Sequence, residues 1–137
     1  MRFSIQDDMT HDEPVLVKRG LVEFADRFTG PRNGRDIGVV LRDPDGNVGG
    51  GITGYAIWDW LQIETLWIDE GLRGRGYGYQ LLNRAEAIGA GYGCRFARLD
   101  TFEFEAREFY ERQGYVVYAR TDDFPEGHTQ FHLRKQL

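Results

Sequence analysis

One run of the chain, residues 61–82, most constrains what it can fold into. Leu61 to Ile68 is apolar and contains enough β-branched residues to predict a buried strand. Tyr79 to Ala90 predicts a helix, because apolar side chains recur at helical spacing at Leu81, Leu82, Ala85 and Ile88. The loop between them carries glycines at alternate positions, Gly74, Gly76 and Gly78. This order predicts a phosphate site, because a helix N-terminus offers free N–H groups and the positive end of a dipole.

Length and composition limit the remaining possibilities. The 137 residues predict a single domain over residues 1–137. We find no apolar run near the roughly 20 residues of a membrane span and no signal-peptide pattern. A lone cysteine, Cys94, excludes an internal disulfide and favours a cytoplasmic location. The net charge of −5 argues against nucleic-acid binding, which needs a basic face, and is compatible with a cationic amine substrate.

The rest of the chain alternates strands and helices in the predicted order β, α, β, β, β, α, β, α, β, β. The first strand is predicted at Arg2 to Gln6. The first helix follows Pro14, because four apolar residues share one helical face: Val17, Leu21, Phe24 and Phe28. The turn signal at residues 43–47 predicts an antiparallel return from the second strand, at residues 37–42, to the third, at residues 48–58. Further strands are predicted at residues 95–101, 115–119 and 128–134, with a short helix at 105–113. We expect a mixed α/β sheet with helices on its faces.

The glycine loop does not fit two common phosphate-binding patterns. The P-loop needs a Lys followed by Ser or Thr after its last glycine, and Tyr79 stands there instead. The Rossmann fingerprint needs Gly-x-Gly-x-x-Gly spacing, which this loop lacks. The remaining pattern, Arg73-x-x-Gly76-x-Gly78, resembles the pyrophosphate loop of the GNAT superfamily of N-acetyltransferases, where that loop cradles acetyl-coenzyme A.

A second segment, residues 99–115, resembles the same superfamily. The family pattern is a strand, then a helix carrying Ala-x-x-Phe-Tyr, then a glycine followed by an aromatic residue. The chain matches it in type and spacing at Ala106, Phe109, Tyr110, Gly114 and Tyr115. The family often has Asn three residues before that alanine, and Glu103 occupies the position here. The tail at residues 123–128 is similar to a bacterial branch of the superfamily.

The resemblance implies both a fold and an activity. The fold would be a mostly antiparallel sheet of six to seven strands, flanked by helices, whose fourth and fifth strands splay apart. The activity would move an acetyl group from acetyl-coenzyme A to a primary amine of a small molecule or peptide, by direct attack in a ternary complex. The alternatives are a non-catalytic acyl-coenzyme A-binding module and a nucleotide-phosphate binder. The resemblance implies no metal and is compatible with a homodimer.

The resemblance also assigns residues to the cofactor. The backbone at the end of the fourth strand would pair with the pantetheine amides, through Leu66, Trp67 and Ile68. The loop would hold the pyrophosphate through backbone N–H groups and arginine side chains of Arg73, Gly74, Arg75, Gly76, Tyr77 and Gly78. Further contacts are expected from Glu103, Ala106 and Tyr110.

Acetyl transfer to an amine needs a base and an acid. An alkylamine has a pKa of about 10.4, so about one molecule in a thousand is neutral at pH 7. A carboxylate near the amine would accept its proton, and Glu64 is the candidate, with Asp100 as the second choice. Tyr110 matches the family tyrosine that protonates the coenzyme A thiolate. A phenol can serve as this acid because it is a hydrogen-bond donor at neutral pH. We expect Phe109 on the core side of its helix and Tyr110 in the cleft.

The three histidines give weaker signals. His128 is a candidate for the wall of the acceptor cleft, because it follows a glycine near the last strand pair. His11 and His132 show no metal-ligand spacing with any partner. The sequence therefore predicts no metal site.

Overall fold

The computed structural model describes residues 2–137, which fall into two compact units. The first unit, residues 2–32, contains helix α1 (Glu13–Thr29). The Glu13 carboxylate accepts a hydrogen bond from the Thr10 N–H at 2.7 Å, which fixes the start of the helix. The strand predicted at Arg2 to Gln6 was wrong. Within the described residues, positions 2–6 pair with no strand. Their backbone N–H and C=O groups therefore lack the inter-strand hydrogen bonds that would hold a strand there.

The second unit, residues 33–137, holds the sheet. Its strands are β1 (Arg35–Arg42), β2 (Val48–Ile57), β3 (Trp60–Ile68), β4 (Phe96–Phe102), β5 (Val116–Asp122) and β6 (Thr129–Gln136). Its helices are α2 (Tyr77–Gly91), α3 (Arg107–Arg112) and a 3₁₀ turn at Glu70–Leu72. The sheet order is β1-β2-β3-β4-β6-β5, in which β3 and β4 run parallel and the other neighbours are antiparallel. The predicted mixed, mostly antiparallel sheet flanked by helices is confirmed, with six strands.

The two strands predicted to splay are β3 and β4. They pair through three residues each, 60–62 of β3 with 96–98 of β4. Beyond Gln62, β3 continues to pair with β2 on its other side, and β4 continues to pair with β6. The facing edges of β3 and β4 therefore diverge, and their backbone groups border a cleft.

A β-bulge in β3 sits at the point where this divergence begins. Thr53 of β2 pairs with Thr65, whereas the next residue, Gly54, pairs with Ile63, so Glu64 is the extra residue. Ile63 is buried, Glu64 and Thr65 are both exposed, and Leu66 packs against the core again. The bulge thus presents Glu64 at the cleft and returns the end of β3 to the core-facing side.

The core sets the start of α2 beside the end of β3. Its largest fully buried side chains are Ile52, Leu61, Leu82, Leu99 and Leu133. Burying a side chain of this size stabilises the fold by about 1.5–3 kcal/mol. Gly89 of α2 approaches Leu61 so closely that an added Cβ would lie 3.3 Å from the Leu61 side chain. Close packing along α2 fixes the position of the helix on the sheet, and with it the position of the helix N-terminus.

A partly buried polar network ties α2 to β6. The Tyr115 hydroxyl donates to the Glu86 carboxylate at 2.7 Å, and the Lys135 ammonium donates to the same carboxylate at 2.9 Å. Burial, followed by the bond to Glu86, raises the pKa of Tyr115 well above its ordinary value, so the phenol stays neutral. The two donors compensate the charge of Glu86 on a largely buried face of α2. The bond from Tyr115 also holds the segment that follows α3.

Candidate active site

The cleft between β3 and β4 opens into a cavity of about 600 Å³. Its walls are the end of β3, the glycine loop, the first turn of α2 and the segment around α3. The residues that line it are Leu66, Trp67, Ile68, Leu72, Arg73, Gly74, Gly76, Tyr77, Gly78, Tyr79, Phe104, Glu105, Ala106, Phe109, Tyr110 and Arg112. This volume lies within the range of small-molecule and cofactor pockets.

The glycine loop presents backbone donors to this cavity. Gly74 and Gly76 have positive φ angles of 78° and 84°, a conformation that other residues rarely adopt. Gly76 is the N-cap of α2, and the Gln80 N–H donates to the Gly76 carbonyl at 3.2 Å. The N–H groups before Gln80 belong to the first turn, which has no intrahelical acceptors. With the positive end of the helix dipole, they make this wall suited to an anion.

The two loop arginines differ in placement. Arg73 lines the larger cavity, and its Nε donates to the Ile68 carbonyl at 3.0 Å, which ties the loop to the end of β3. The two terminal nitrogens of this guanidinium carry further N–H donors. Both residues are exposed, but Arg75 is not among the residues that line the cavity. The sequence pattern had grouped them together.

A smaller cavity of about 220 Å³ adjoins the first. Glu64 of β3 and Asp100 of β4 both line it. Four residues border both cavities: Leu66, Glu105, Ala106 and Tyr110. The two predicted bases are thus brought to one small space, and Tyr110 stands at its junction with the larger one.

Tyr110 is 6% exposed, and its ring packs edge-on against Phe109 and Tyr115. Burial, and secondarily the charge of Glu105, raises the pKa of Tyr110 to about 12. The phenol is therefore protonated throughout the neutral range and remains a hydrogen-bond donor. Phe109 was expected on the core side of its helix and Tyr110 in the cleft. Tyr110 does line the cleft, but Phe109 also lines the larger cavity, and Tyr110 is the more buried of the two. Position 78 explains this, since a Cβ there would lie 3.6 Å from the Phe109 ring.

Comparison with known proteins decides the family. The model of the acetyltransferase (GNAT) family matches residues 5–115. This chain belongs to the GNAT family of acetyltransferases. A blasticidin-S acetyltransferase from Streptomyces morookaense is 41% identical over 125 residues, which are 90% of this chain and 82% of that protein.

Solved structures agree with this family. The crystal structure of an acetyltransferase from Bacillus cereus superposes with a TM-score of 0.92 at 33% identity and covers 98% of each chain. A Bacillus anthracis protein solved in complex with acetyl coenzyme A shares the fold, with a TM-score of 0.66 at 18% identity. The comparison covers 74% of this chain and 62% of that one.

Within this GNAT chain, Glu103 lines neither of the two cavities described above. It lines a third cavity of about 550 Å³, which shares Ala106 and Phe109 with the larger one, and its contact with the cofactor stays a prediction. Its carboxylate accepts hydrogen bonds from His128 Nδ1 at 2.6 Å and from the Thr129 N–H at 3.0 Å. The Thr129 bond lowers the pKa of Glu103 most, and the His128 contact adds to this effect. The side chain joins two loops, and His128 lines neither cavity.

Several lining residues were missed from the sequence. Phe104 and Glu105 lie between β4 and α3, next to the matched Ala106. The Glu105 carboxylate accepts from the Phe102 N–H at 2.9 Å, which closes the turn that leads into α3. Their closeness to Ala106 in the second segment was the only signal available.

Two findings concern other classes of function. Among residues 2–137, no cluster of three or more His, Cys, Asp or Glu side chains is arranged to hold a metal ion. No described helix is both long and apolar enough to cross a bilayer.

Proposed function

We propose that this GNAT protein transfers an acetyl group from acetyl-coenzyme A to a primary amine of a small molecule. The observation that carries the proposal is the junction of two cavities at Tyr110. One cavity ends at a helix start suited to a pyrophosphate, and the other is lined by three carboxylates, among them both candidate bases. A thioester donor and an amine acceptor would meet where the cavities join.

The donor would lie along the open edge of β3. Backbone groups of Leu66, Trp67 and Ile68 would pair with the pantetheine amides as an added strand does. The first-turn N–H groups of α2 and the Arg73 guanidinium would bind the pyrophosphate. The acetyl coenzyme A bound by the Bacillus anthracis protein of this fold supports the same choice of donor.

Direct attack would need one base and one acid. Glu64 would accept the proton of the ammonium group, directly or through water, and the free amine would attack the thioester carbonyl carbon. The carbon–sulfur bond would then break. Tyr110 would give its proton to the departing thiolate, because the buried phenol is neutral and borders both cavities. The second proton, which the nitrogen loses as the amide forms, would return to the Tyr110 phenolate and restore the acid.

The acceptor class rests on the smaller cavity. Its volume of about 220 Å³ suits part of a small molecule or a single side chain. The relative at 41% identity bears the name of an enzyme that acetylates blasticidin S, which supports a small-molecule acceptor for this chain.

An amine panel tests the proposal. The purified protein is incubated with acetyl-coenzyme A and individual amines, blasticidin S included, and released coenzyme A is measured by its free thiol. We expect release with at least one amine and an acetylated product by mass spectrometry. Tight binding of acetyl-coenzyme A without release for any amine would favour the non-catalytic binding module. Displacement of bound acetyl-coenzyme A by ATP at equal concentration would favour the nucleotide binder.

A further inference from the structure

Asp100, His132 and Thr121 form a hydrogen-bonded line across three neighbouring strands. Asp100 of β4 and His132 of β6 are direct cross-strand partners. His132 Nδ1 lies 2.6 Å from Asp100 Oδ1, and His132 Nε2 lies 2.9 Å from the Thr121 hydroxyl of β5. Both ring nitrogens are therefore engaged.

The partners determine which ring nitrogen carries the proton. An ionised carboxylate only accepts hydrogen bonds, so Nδ1 of His132 must donate to Asp100. In the neutral imidazole, Nε2 then accepts from the Thr121 hydroxyl. If the ring becomes charged, the hydroxyl can turn and accept instead. Thr121 thus supports the imidazole in either state, and Asp100 Oδ1 stays bound.

The second candidate base of the smaller cavity, Glu64, has a different environment from Asp100. Glu64 is exposed on the β3 bulge, and within residues 2–137 the structure shows no hydrogen bond or ion pair to its carboxylate. A free carboxylate keeps all its acceptor positions for a proton. A carboxylate that is already held by a hydrogen bond is preorganised for binding, because it loses little further side-chain conformational entropy when a ligand binds.

We propose that His132, supported by Thr121, is a positioning residue that holds the Asp100 carboxylate to bind the protonated acceptor amine. The inference rests on the proposed function and separates the roles of the two carboxylates. Asp100 binds the ammonium group in the smaller cavity through Oδ2, and Glu64 then removes its proton. His132 touches neither substrate, since Asp100 stands between it and the cavity.

The charge of the smaller cavity agrees with this role. Its lining includes Glu64, Asp100 and Glu105, and no Lys or Arg is among the described residues that line it. Glu105 accepts bonds from the Phe102 N–H and the Thr101 hydroxyl, both at Oε1, so each of these two held carboxylates keeps a second oxygen for a ligand. Glu105 also borders the larger cavity, whereas Asp100 lines the smaller cavity and not the larger one, so Asp100 is the oriented carboxylate placed for the acceptor.

Steady-state kinetics of three variants test the inference, with the best amine of the panel and acetyl-coenzyme A. His132→Leu removes the donor to Asp100, whereas His132→Asn keeps an N–H near the place of Nδ1. His128→Leu is the matched control, because His128 makes the same 2.6 Å contact with a carboxylate, Glu103, and lines neither cavity. Thermal unfolding of each variant checks the fold.

We expect His132→Leu to raise KM for the amine about tenfold, the effect of one hydrogen bond to a charged group. Its KM for acetyl-coenzyme A and its kcat should change little. His132→Asn should recover most of the amine KM, and His128→Leu should keep the wild-type value. An unchanged amine KM in folded His132→Leu, or an equal rise in His128→Leu, would overturn the inference.

A double-mutant cycle shows whether His132 acts through Asp100. In an Asp100→Asn background, His132→Leu should raise the amine KM no further. Additive effects would overturn the positioning role. If His132→Leu does not fold, the cycle is run with the exposed Thr121→Val, for which we expect a smaller, likewise non-additive rise. Absence of acetyl transfer by the wild-type protein would instead refute the proposed function, so the two failures are distinct.

Discussion

Gly54 of β2 lies so close to the Gln62 carbonyl oxygen of β3 that a Cβ atom at position 54 would overlap it. Gly54 is also the residue at which the register between the two strands shifts. The close approach of the two strands and the bulge at Glu64 therefore occur at the same point of the β2–β3 pair. A glycine at this position lets β3 bend where its divergence from β4 begins.

Gly54→Ala should accordingly disturb both stability and activity. The added methyl must push the backbone at Gln62 aside, at a cost of about 1–3 kcal/mol. Displacement of the bulge should also move Glu64 and lower kcat. Urea denaturation and steady-state kinetics measure the two effects. The matched control is Gly38→Ala on β1, where an added Cβ meets nothing within 4 Å. Equal stability of the two variants would contradict this account.

Arg73 and Arg75 offer a direct comparison of two loop arginines. Arg73 lines the larger cavity and is held by its bond to the Ile68 carbonyl, whereas Arg75 does not line that cavity. We expect Arg73→Gln to weaken acetyl-coenzyme A binding about tenfold or more, through loss of a charge-assisted bond to phosphate. Arg75→Gln should weaken it much less. Isothermal titration calorimetry with acetyl-coenzyme A gives both values, and a reversed order would contradict the placement.

The first turn of α2 can be tested through Gly78. A Cβ at this position is sterically acceptable, since its nearest neighbour is the Phe109 ring at 3.6 Å. Gly78→Glu should place a carboxylate at the proposed pyrophosphate site and reduce affinity for acetyl-coenzyme A by repulsion. Gly78→Gln has nearly the same size without the charge and serves as the control. Similar affinities for the two variants would remove the electrostatic explanation.

Glu64→Gln separates the base from the rest of the site. The amide keeps the size of the side chain and cannot accept the amine proton. At pH 7 we expect kcat to fall by about 10²–10⁴-fold. The loss should shrink as the pH approaches the amine pKa of about 10.4, because free amine then needs no base. A pH–rate profile of both proteins measures this, and a loss independent of pH would argue against proton removal by Glu64.

Tyr110→Phe removes the phenolic proton and keeps the ring. With chemistry rate-limiting, kcat should fall while the Kd for acetyl-coenzyme A stays near the wild-type value. A pre-steady-state burst experiment establishes which step limits the rate. Wild-type kcat under chemistry-limited conditions would leave Tyr110 with a packing role alone.

The raised pKa of Tyr110 also gives a stability effect at alkaline pH. The folded-state pKa of about 12 lies above the ordinary value of about 10, so the folded protein holds this proton more tightly. The contribution is fully present below pH 10 and is lost as the pH rises toward 12. In the wild type this loss should reach about 2 kcal/mol near pH 12. Urea denaturation should show a shallower decline in Tyr110→Phe, with a remainder from Tyr115, whose pKa is also raised by burial.

The sequence by itself determined the elements that depend on local order. Alternating and helical apolar spacing located β1 to β6 and all three α-helices of the described chain within a few residues. The glycine loop was found because positive φ angles and a helix start leave a pattern in neighbouring residues, as Gly74 and Gly76 show. The strand predicted at Arg2 to Gln6 failed because apolar content alone does not supply a pairing partner.

Only the tertiary structure decided which residues share the site. The bulge that exposes Glu64 arises from the register of β2 on β3, which no local pattern encodes. Arg75 and Glu103 lie within the two linear motifs, yet neither lines the larger or the smaller cavity, and Glu103 is bonded to His128 and Thr129 instead. The Asp100–His132–Thr121 line joins residues far apart in sequence through strand pairing. Such contacts depend on long-range packing, so they exist only once the sheet has formed.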